Sequence, residues 1–266
     1  MAETSTIRYD DVLPSLWPFN AEAAQLWMSR NWGVTIPCAA AYLLAVFFGR
    51  RSMKNRGRLD LRPLLTAWNS VLAVFSTMGA LHSNREVASR LYQHGIRYTV
   101  CDSSFYHDDL IGFWTFLFAF SKVFELGDTF FLVIRKRKLR TLHWYHHAST
   151  LVYTSYAYAH MHGPGLFSLA MNYGIHAPMY AYFTLRAATV VLPEAFAVCI
   201  TVVQILQHLS GCAFNAWALW IVLHGGQCSA GVLVSLVSVV VYGSYAVMFL
   251  RFLVDKYTQK DDGKAD

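Results

Sequence analysis

The chain has 266 residues, 55% of them hydrophobic and only 14% charged, with a mean hydropathy of +0.33. That is too apolar for an ordinary soluble domain and reads as an all-α polytopic membrane protein. The net charge of +6 is gathered in short clusters between apolar stretches, so no nucleic-acid partner is expected.

Residues 1–20 contain Glu3, Asp10 and Asp11 and no apolar core, which is not the pattern of a secretory signal peptide. The first membrane helix is then expected to act as its own insertion signal. Residues Ala21 to Asn31 read as a short amphipathic lead-in, with Trp17, Trp27 and Trp32 suited to the membrane interface. Seven apolar spans follow, at about Trp32–Phe48, Pro63–Leu81, Leu110–Ile134, Thr141–Ala159, Leu166–Leu185, Glu194–Leu223 and Ala230–Val254. Each is long enough to cross a core of about 30 Å at about 1.5 Å per residue. The chain thus divides into a lumenal segment 1–31, one seven-helix membrane domain 32–254 and a cytosolic tail 255–266. Between spans two and three lies a loop of mixed charge that holds Cys101.

Orientation follows from the short connections. Arg50, Arg51, Lys54, Arg56 and Arg58 follow span one, and Arg135, Lys136, Arg137 and Lys138 close span three. Arg186, Arg251, Lys256 and Lys260 mark the same side, while the turns after spans four and six carry no Lys or Arg. The positive-inside rule places the C-terminus in the cytosol and the N-terminus in the lumen. Of the five cysteines, Cys38, Cys199 and Cys212 fall within spans and no pair has CxxC spacing. Cys101 and Cys228 fall in lumenal connections, and a disulfide between them is expected in an oxidising compartment.

Polar groups concentrate in one half of the bilayer. His143, His146 and His147 stand at i, i+3 and i+4, which places three imidazoles on one helix face. Lys122, Glu125, Asp128 and Thr129 lie on span three, Asn172, His176, Tyr180 and Tyr182 on span five, and Gln204, Gln207 and His208 on span six. At about 1.5 Å per residue most of them fall within about 5–20 Å of the cytosolic surface. Lipid cannot satisfy such groups, so they must face one another or a cavity. Taken singly, His208 or Gln204 reads as interhelical glue, and Lys122 with Glu125 as an ion pair that fixes packing. The triplet with His176 opposite reads as a site. The residues alone do not separate His146 from His147, nor a nucleophile from a metal ligand.

Four motifs carry a family resemblance. They are Lys122-Val-Phe-Glu125-Leu-Gly-Asp128-Thr129, His143-Trp-Tyr-His146-His147, His176-Ala-Pro-Met179-Tyr180-Ala-Tyr182-Phe183 and Thr201-Val-Val-Gln204-Ile-Leu-Gln207. In these the chain resembles the ELO family of very-long-chain fatty acid elongases of the endoplasmic reticulum, with Phe183 in place of the family's last Tyr. The run from Asn172 to Ala177 is most similar to the branch acting on saturated and monounsaturated chains.

The resemblance implies seven membrane helices, with helices two to seven forming a barrel around an acyl tunnel. It implies the condensing step of elongation, in which acyl-CoA and malonyl-CoA give a 3-oxoacyl-CoA two carbons longer, with CO2 and CoA released. It also implies a location in the endoplasmic reticulum membrane, although the tail from Lys260 to Asp266 lacks paired lysines. It points to His146 and His176 as the covalent and condensing residues, with His143 and His147 orienting. On this reading Glu125, Asp128, Asn172, Tyr180, Gln204 and Gln207 support the site. Lys122, Arg135, Arg137 and Arg186 are expected to meet the CoA phosphates; Lys136 and Lys138 equally fit a purely topological role.

No metal or other cofactor is expected. Beyond the two CoA substrates and membrane lipid, expected partners are other enzymes of the elongation cycle and a second copy of the chain. Two readings compete. A di-iron desaturase or hydroxylase uses His-x-x-His-His but needs about eight ligands in several boxes, whereas this chain has one box. A seven-helix receptor or transporter has the right crossing number but leaves the histidine cluster unexplained.

Overall fold

The computed structural model describes residues 19–262, with side chains described as far as Lys256. Trp17, the acidic residues before it and the end of the tail lie outside the described residues. Among those described there are nine α-helices, two short 3₁₀ turns and no strand. They are α1 (Ala21–Asn31), α2 (Thr35–Met53), α3 (Arg62–Cys101), α4 (Asp109–Glu125), α5 (Gly127–Ile134), α6 (Thr141–Ala159), α7 (Gly165–Ala187), α8 (Glu194–Leu223) and α9 (Val232–Asp262).

Four stretches are long and apolar enough to cross a bilayer: Ala21–Met53, Arg62–Cys101, Glu194–Leu223 and Val232–Lys256. The molecule is a polytopic helical membrane protein. The other helices are informative for what they lack. Helices α4 and α5 are individually short because the span breaks at Leu126, where the amide of Leu126 bonds to Val123 O rather than continuing the α ladder. Helices α6 and α7 are long but not apolar enough. These four helices carry Lys122, Glu125, Asp128, the histidine triplet, Asn172 and His176. Polar groups at those positions both lower the hydropathy and require the neighbours that the fold supplies.

Three boundaries differ from those expected from sequence. The lead-in and first span form one helical stretch, because the 3₁₀ turn Trp32–Val34 joins α1 to α2 with no non-helical residue between them. The mixed-charge loop after span two is helical. Helix α3 runs 40 residues to Cys101, interrupted only at Gly95, whose φ of 78° an L side chain rarely adopts. Its ends are anchored although residues 91–94 and 96–98 are exposed: Arg90 is held by Glu86 and Asp102, and Val87, Thr99 and Val100 are buried. At the far end α9 continues to Asp262, past the expected start of the tail.

Helices α3 and α7 pack along their lengths, as do α8 and α9, while α6 sits among α1, α2, α4 and α9. The α3–α7 contact is close because Tyr173 lies against Gly79, where a Cβ would meet the ring at 2.6 Å. Small residues at helix interfaces permit this approach. The main apolar core lies towards one end, around Val100, Phe105, Leu166, Leu169, Tyr173 and Ile221. That end is fastened by a Cys101–Cys228 disulfide with Cα atoms 4.4 Å apart. Beside it Ser229 N donates to Cys101 O at 2.8 Å and Gly163 N to Ser229 O at 2.7 Å. Fastening one end leaves the polar groups of α4 to α8 gathered towards the other.

Candidate active site

The site is a cavity of about 390 Å³ walled by α4, α5, α6, α7, α8 and α9. All four predicted catalytic histidines, His143, His146, His147 and His176, border it. So do Glu125, Asp128, Asn172, Tyr180, Gln204 and Gln207. The structure thus brings together the catalytic and supporting groups expected from sequence.

Each is held differently. Lys122 is 3% exposed and donates to Glu125 Oε1 at 2.7 Å and to Asn172 Oδ1 at 3.0 Å. With its oxygen so engaged, Asn172 turns its Nδ2 to His176 Nε2 at 3.3 Å. His176 Nε2 is then the acceptor, so the proton sits on Nδ1, which points towards Glu125 Oε1 at 3.8 Å. Asp128 lies in the first turn of α5 and accepts from the Trp68 indole at 2.7 Å and from the Tyr180 hydroxyl at 2.8 Å. His143 Nε2 bonds to Thr129 Oγ1 at 2.9 Å, and Thr129 Oγ1 to Tyr42 OH at 2.7 Å. The His147 ring lies 4.4 Å from that of His143, centroid to centroid.

His146 differs from its two neighbours. Its ring lies 4.6 Å from Tyr245 and 6.0 Å from His208. Tyr245 is fixed in turn by Ser149 at 2.8 Å and Thr150 at 2.9 Å. A second, smaller void of about 50 Å³ lies beside this point between Thr115, Phe118, Thr154, Tyr158, Ser168 and Leu169. Among the described residues, only His146, Asn172, Gln207 and His208 border both spaces. These four residues, the neck, stand between the polar chamber and the smaller void, which is lined towards the disulfide end by Tyr106 and Gly165.

The predicted phosphate-binding cations fall elsewhere. Lys122 does not reach the cavity wall, because an ammonium surrounded by hydrocarbon is held by Glu125 and Asn172. Arg135, Arg137 and Arg186 do not border the cavity either; its cations are Lys138, Arg140 and Lys256. Arg140 lies over the Phe252 ring at 4.5 Å, and Lys256 pairs with Glu194 at 3.2 Å. Sequence reasoning also passed over Tyr42, Trp68, Tyr245 and Phe249, since an aromatic residue inside an apolar span carries no distinguishing spacing. His208, read as glue, stands in the neck, and its Nδ1 is buried without a partner. Among the described residues no three of His, Cys, Asp and Glu are gathered closely enough to hold a metal ion.

Fold and site together define a helical membrane protein with a polyhistidine chamber beside a smaller buried void. Residues 27–265 match the sequence profile of the ELO, GNS1/SUR4, family, and the chain belongs to that family. It is 40% identical over 243 residues to very long chain fatty acid elongase 6 of Mus musculus, covering 91% of each chain. It is 38% identical over 242 residues to elongase 6 of Drosophila melanogaster, covering 90% of this chain and 77% of that one. Against very long chain fatty acid elongase 3 of Homo sapiens the identity is 35% over 243 residues, covering 90% of each.

Proposed function

We infer that this chain is the condensing enzyme of fatty acid elongation, joining an acyl-CoA to malonyl-CoA to give a 3-oxoacyl-CoA, CO2 and CoA. The observation that carries the reading is the position of His146 at the neck. A thioester held there has its head in the polar chamber and its tail in the narrow void. Family membership and the similarity to named elongases support the same reaction.

The chemistry proceeds in two halves. His146, as neutral imidazole, attacks the thioester carbonyl; the C–S bond breaks and CoA leaves as the thiol, taking the imidazole proton. The acyl-imidazole so formed is the electrophile for the second half. Malonyl-CoA loses CO2, the resulting enolate attacks the acyl carbonyl, and the C–N bond to His146 breaks, the leaving imidazole nitrogen taking from solvent a proton that replaces the one CoA carried off. Decarboxylation drives the step, so no further cofactor is called for. The Nδ1–H of His176 donates to the developing enolate oxygen, and Gln204 and Gln207 donate to the thioester or pantetheine. Glu125, Asn172 and Lys122 hold the His176 tautomer, while Thr129 with Tyr42 holds His143. Lys138, Arg140 and Lys256 meet the CoA phosphates at the mouth.

The same reading extends to topology and setting. Seven crossings place the basic turns and the chamber mouth at the cytosolic face and the disulfide end in the lumen of the endoplasmic reticulum. Helices two to seven then form a barrel around the acyl channel. In this count α4 and α5 together make one crossing and α1 leads into the first. The substrates are saturated or monounsaturated acyl-CoAs, as the Asn172–Ala177 run suggests. A 3-oxoacyl-CoA must next be reduced, so contact with other enzymes of the cycle belongs to the proposal, as does a homodimer. Purified protein given radiolabelled malonyl-CoA and a panel of acyl-CoAs is expected to form labelled 3-oxoacyl-CoA. Absence of label with every acyl-CoA, from protein that is folded and monodisperse, would refute it.

A further inference from the structure

Helix α2 ends in cations that the candidate site does not use. Arg50, Arg51 and Lys54 are exposed, and no ion pair among the described residues engages them. Nor are they needed to cap the helix. Lys136 reaches across from the turn after α5 and donates to the carbonyls of Lys54 at 3.2 Å and Arg56 at 2.9 Å. The carbonyl end of α2 is therefore served by another cation, and the three side chains remain free.

They border an open groove of about 700 Å³ between α2 and the start of α6. Its remaining walls are Leu43, Val46, Phe47, Leu139 and Trp144, and no acidic residue borders it. Leu43, Val46, Phe47, Arg50 and Lys54 stand at i, i+3, i+4, i+7 and i+11, so one face of α2 passes from apolar to cationic. The step from Phe47 to Arg50 and Lys54 is about 5–10 Å along the axis. That is the separation between the upper acyl chain of a phospholipid and its phosphate. The groove shares no residue with the catalytic cavity, which has its own cations.

We propose that this groove binds an anionic phospholipid of the surrounding leaflet. Its phosphate and headgroup lie on Arg50, Arg51 and Lys54, and one acyl chain lies along Val46 and Phe47 against Trp144. Cations at a membrane surface attract anionic headgroups, and an apolar trough beneath them retains a lipid that free phosphate would not match. Trp144 stands within the His143–His147 run, so the lipid packs against the outer side of the helix that carries the triplet. The proposal does not depend on the reaction assigned above.

The test places the full-length protein in phosphatidylcholine nanodiscs doped with tail-brominated phosphatidylserine or tail-brominated phosphatidylcholine, and measures tryptophan quenching. The share due to Trp144 is the difference from Trp144→Phe. Brominated phosphatidylserine is expected to quench that share at a mole fraction roughly tenfold lower than brominated phosphatidylcholine, given three cations. Arg50→Gln/Arg51→Gln/Lys54→Gln is expected to abolish the preference, with Arg56 and Arg58 left to hold orientation. Arg50→Lys/Arg51→Lys, which keeps the charge, is expected to keep it. Equal quenching by the two lipids overturns the proposal, as does an undiminished preference in the triple Gln variant. Displacement of the brominated lipid by millimolar inorganic phosphate or adenosine 3′,5′-bisphosphate overturns it in favour of a free-phosphate site.

Discussion

The pairing of Lys122 with Glu125 shows how a charge enters hydrocarbon. An unpaired ion there is strongly unfavourable, and both members are nearly inaccessible. Glu125→Gln strands the ammonium and is expected to cost about 3–5 kcal/mol, seen as a lower melting temperature and poor recovery in detergent. Lys122→Met/Glu125→Leu removes both charges and is expected to recover most of that stability. It is not expected to recover turnover, because Glu125 and Asn172 would no longer fix the His176 ring. Restored stability with restored turnover would show the pair to be packing alone. At this scale much was legible from sequence. Histidines at i, i+3 and i+4 can share a helix face only one way, and the depth of Glu125, Asn172 and His176 followed from counting residues. The placement of Lys122 was not legible. Its neighbours three and four residues away satisfy either a surface anchor or a buried pair, and only the packing of α7 with Asn172 decides between them. Tyr42 and Trp68 were invisible for a related reason: each reaches the site by its ring tip from a helix whose pattern records only that it is apolar.

At the scale of the element, the break between α4 and α5 places Asp128. It allows Gly127 to meet the Trp68 indole, where a Cβ would lie 2.7 Å from the ring. Gly127→Ala is expected to push Trp68 off Asp128 and to cost about 1–3 kcal/mol, read as a fall in melting temperature. A melting temperature equal to that of the wild type would show that the indole bond does not anchor α5. The disulfide end supplies a pH-dependent counterpart. His162, in the turn between α6 and α7, is 1% exposed, and its Nε2 donates to Asn215 Oδ1 at 2.6 Å. Burial pushes its pKa down to about 4, against the opposing pull of that hydrogen bond. In the unfolded chain the imidazole titrates near about 6.5. Between those values the unfolded state takes up a proton that the folded state refuses, so stability falls as pH falls. The loss from pH 7 to pH 5 is about 2 kcal/mol, and His162→Gln is expected to flatten it. An unchanged slope in that variant would exclude His162 as its source. The four helices long and apolar enough to span were readable from composition. The helical continuation of α3 to Cys101 was not, because a charged stretch reads as a loop until Arg90 is seen between Glu86 and Asp102.

For the whole molecule, charge placement and chemistry point the same way. The basic turns lie at the end where the chamber opens, and the disulfide closes the other. A glycosylation acceptor inserted at Gly225–Gly226 is therefore expected to be modified in microsomes, and one inserted among Lys136–Lys138 is not. The reverse pattern would invert the orientation and separate the chamber from cytosolic CoA esters. The polytopic helical class was legible because hydropathy and charge are properties of long segments. The neck was not, because it arises where α6, α7 and α8 meet, and no one segment records it. The claim that joins these levels is that His146 carries the acyl group. Incubating the purified protein with a long-chain acyl-CoA and no malonyl-CoA, then mapping adducts by peptide mass spectrometry, tests it most directly. The predicted result is one acyl group on His146, absent in His146→Ala and discharged when malonyl-CoA is added. An acyl group on another residue, or a wild-type amount of acyl-enzyme in His146→Ala, would contradict it.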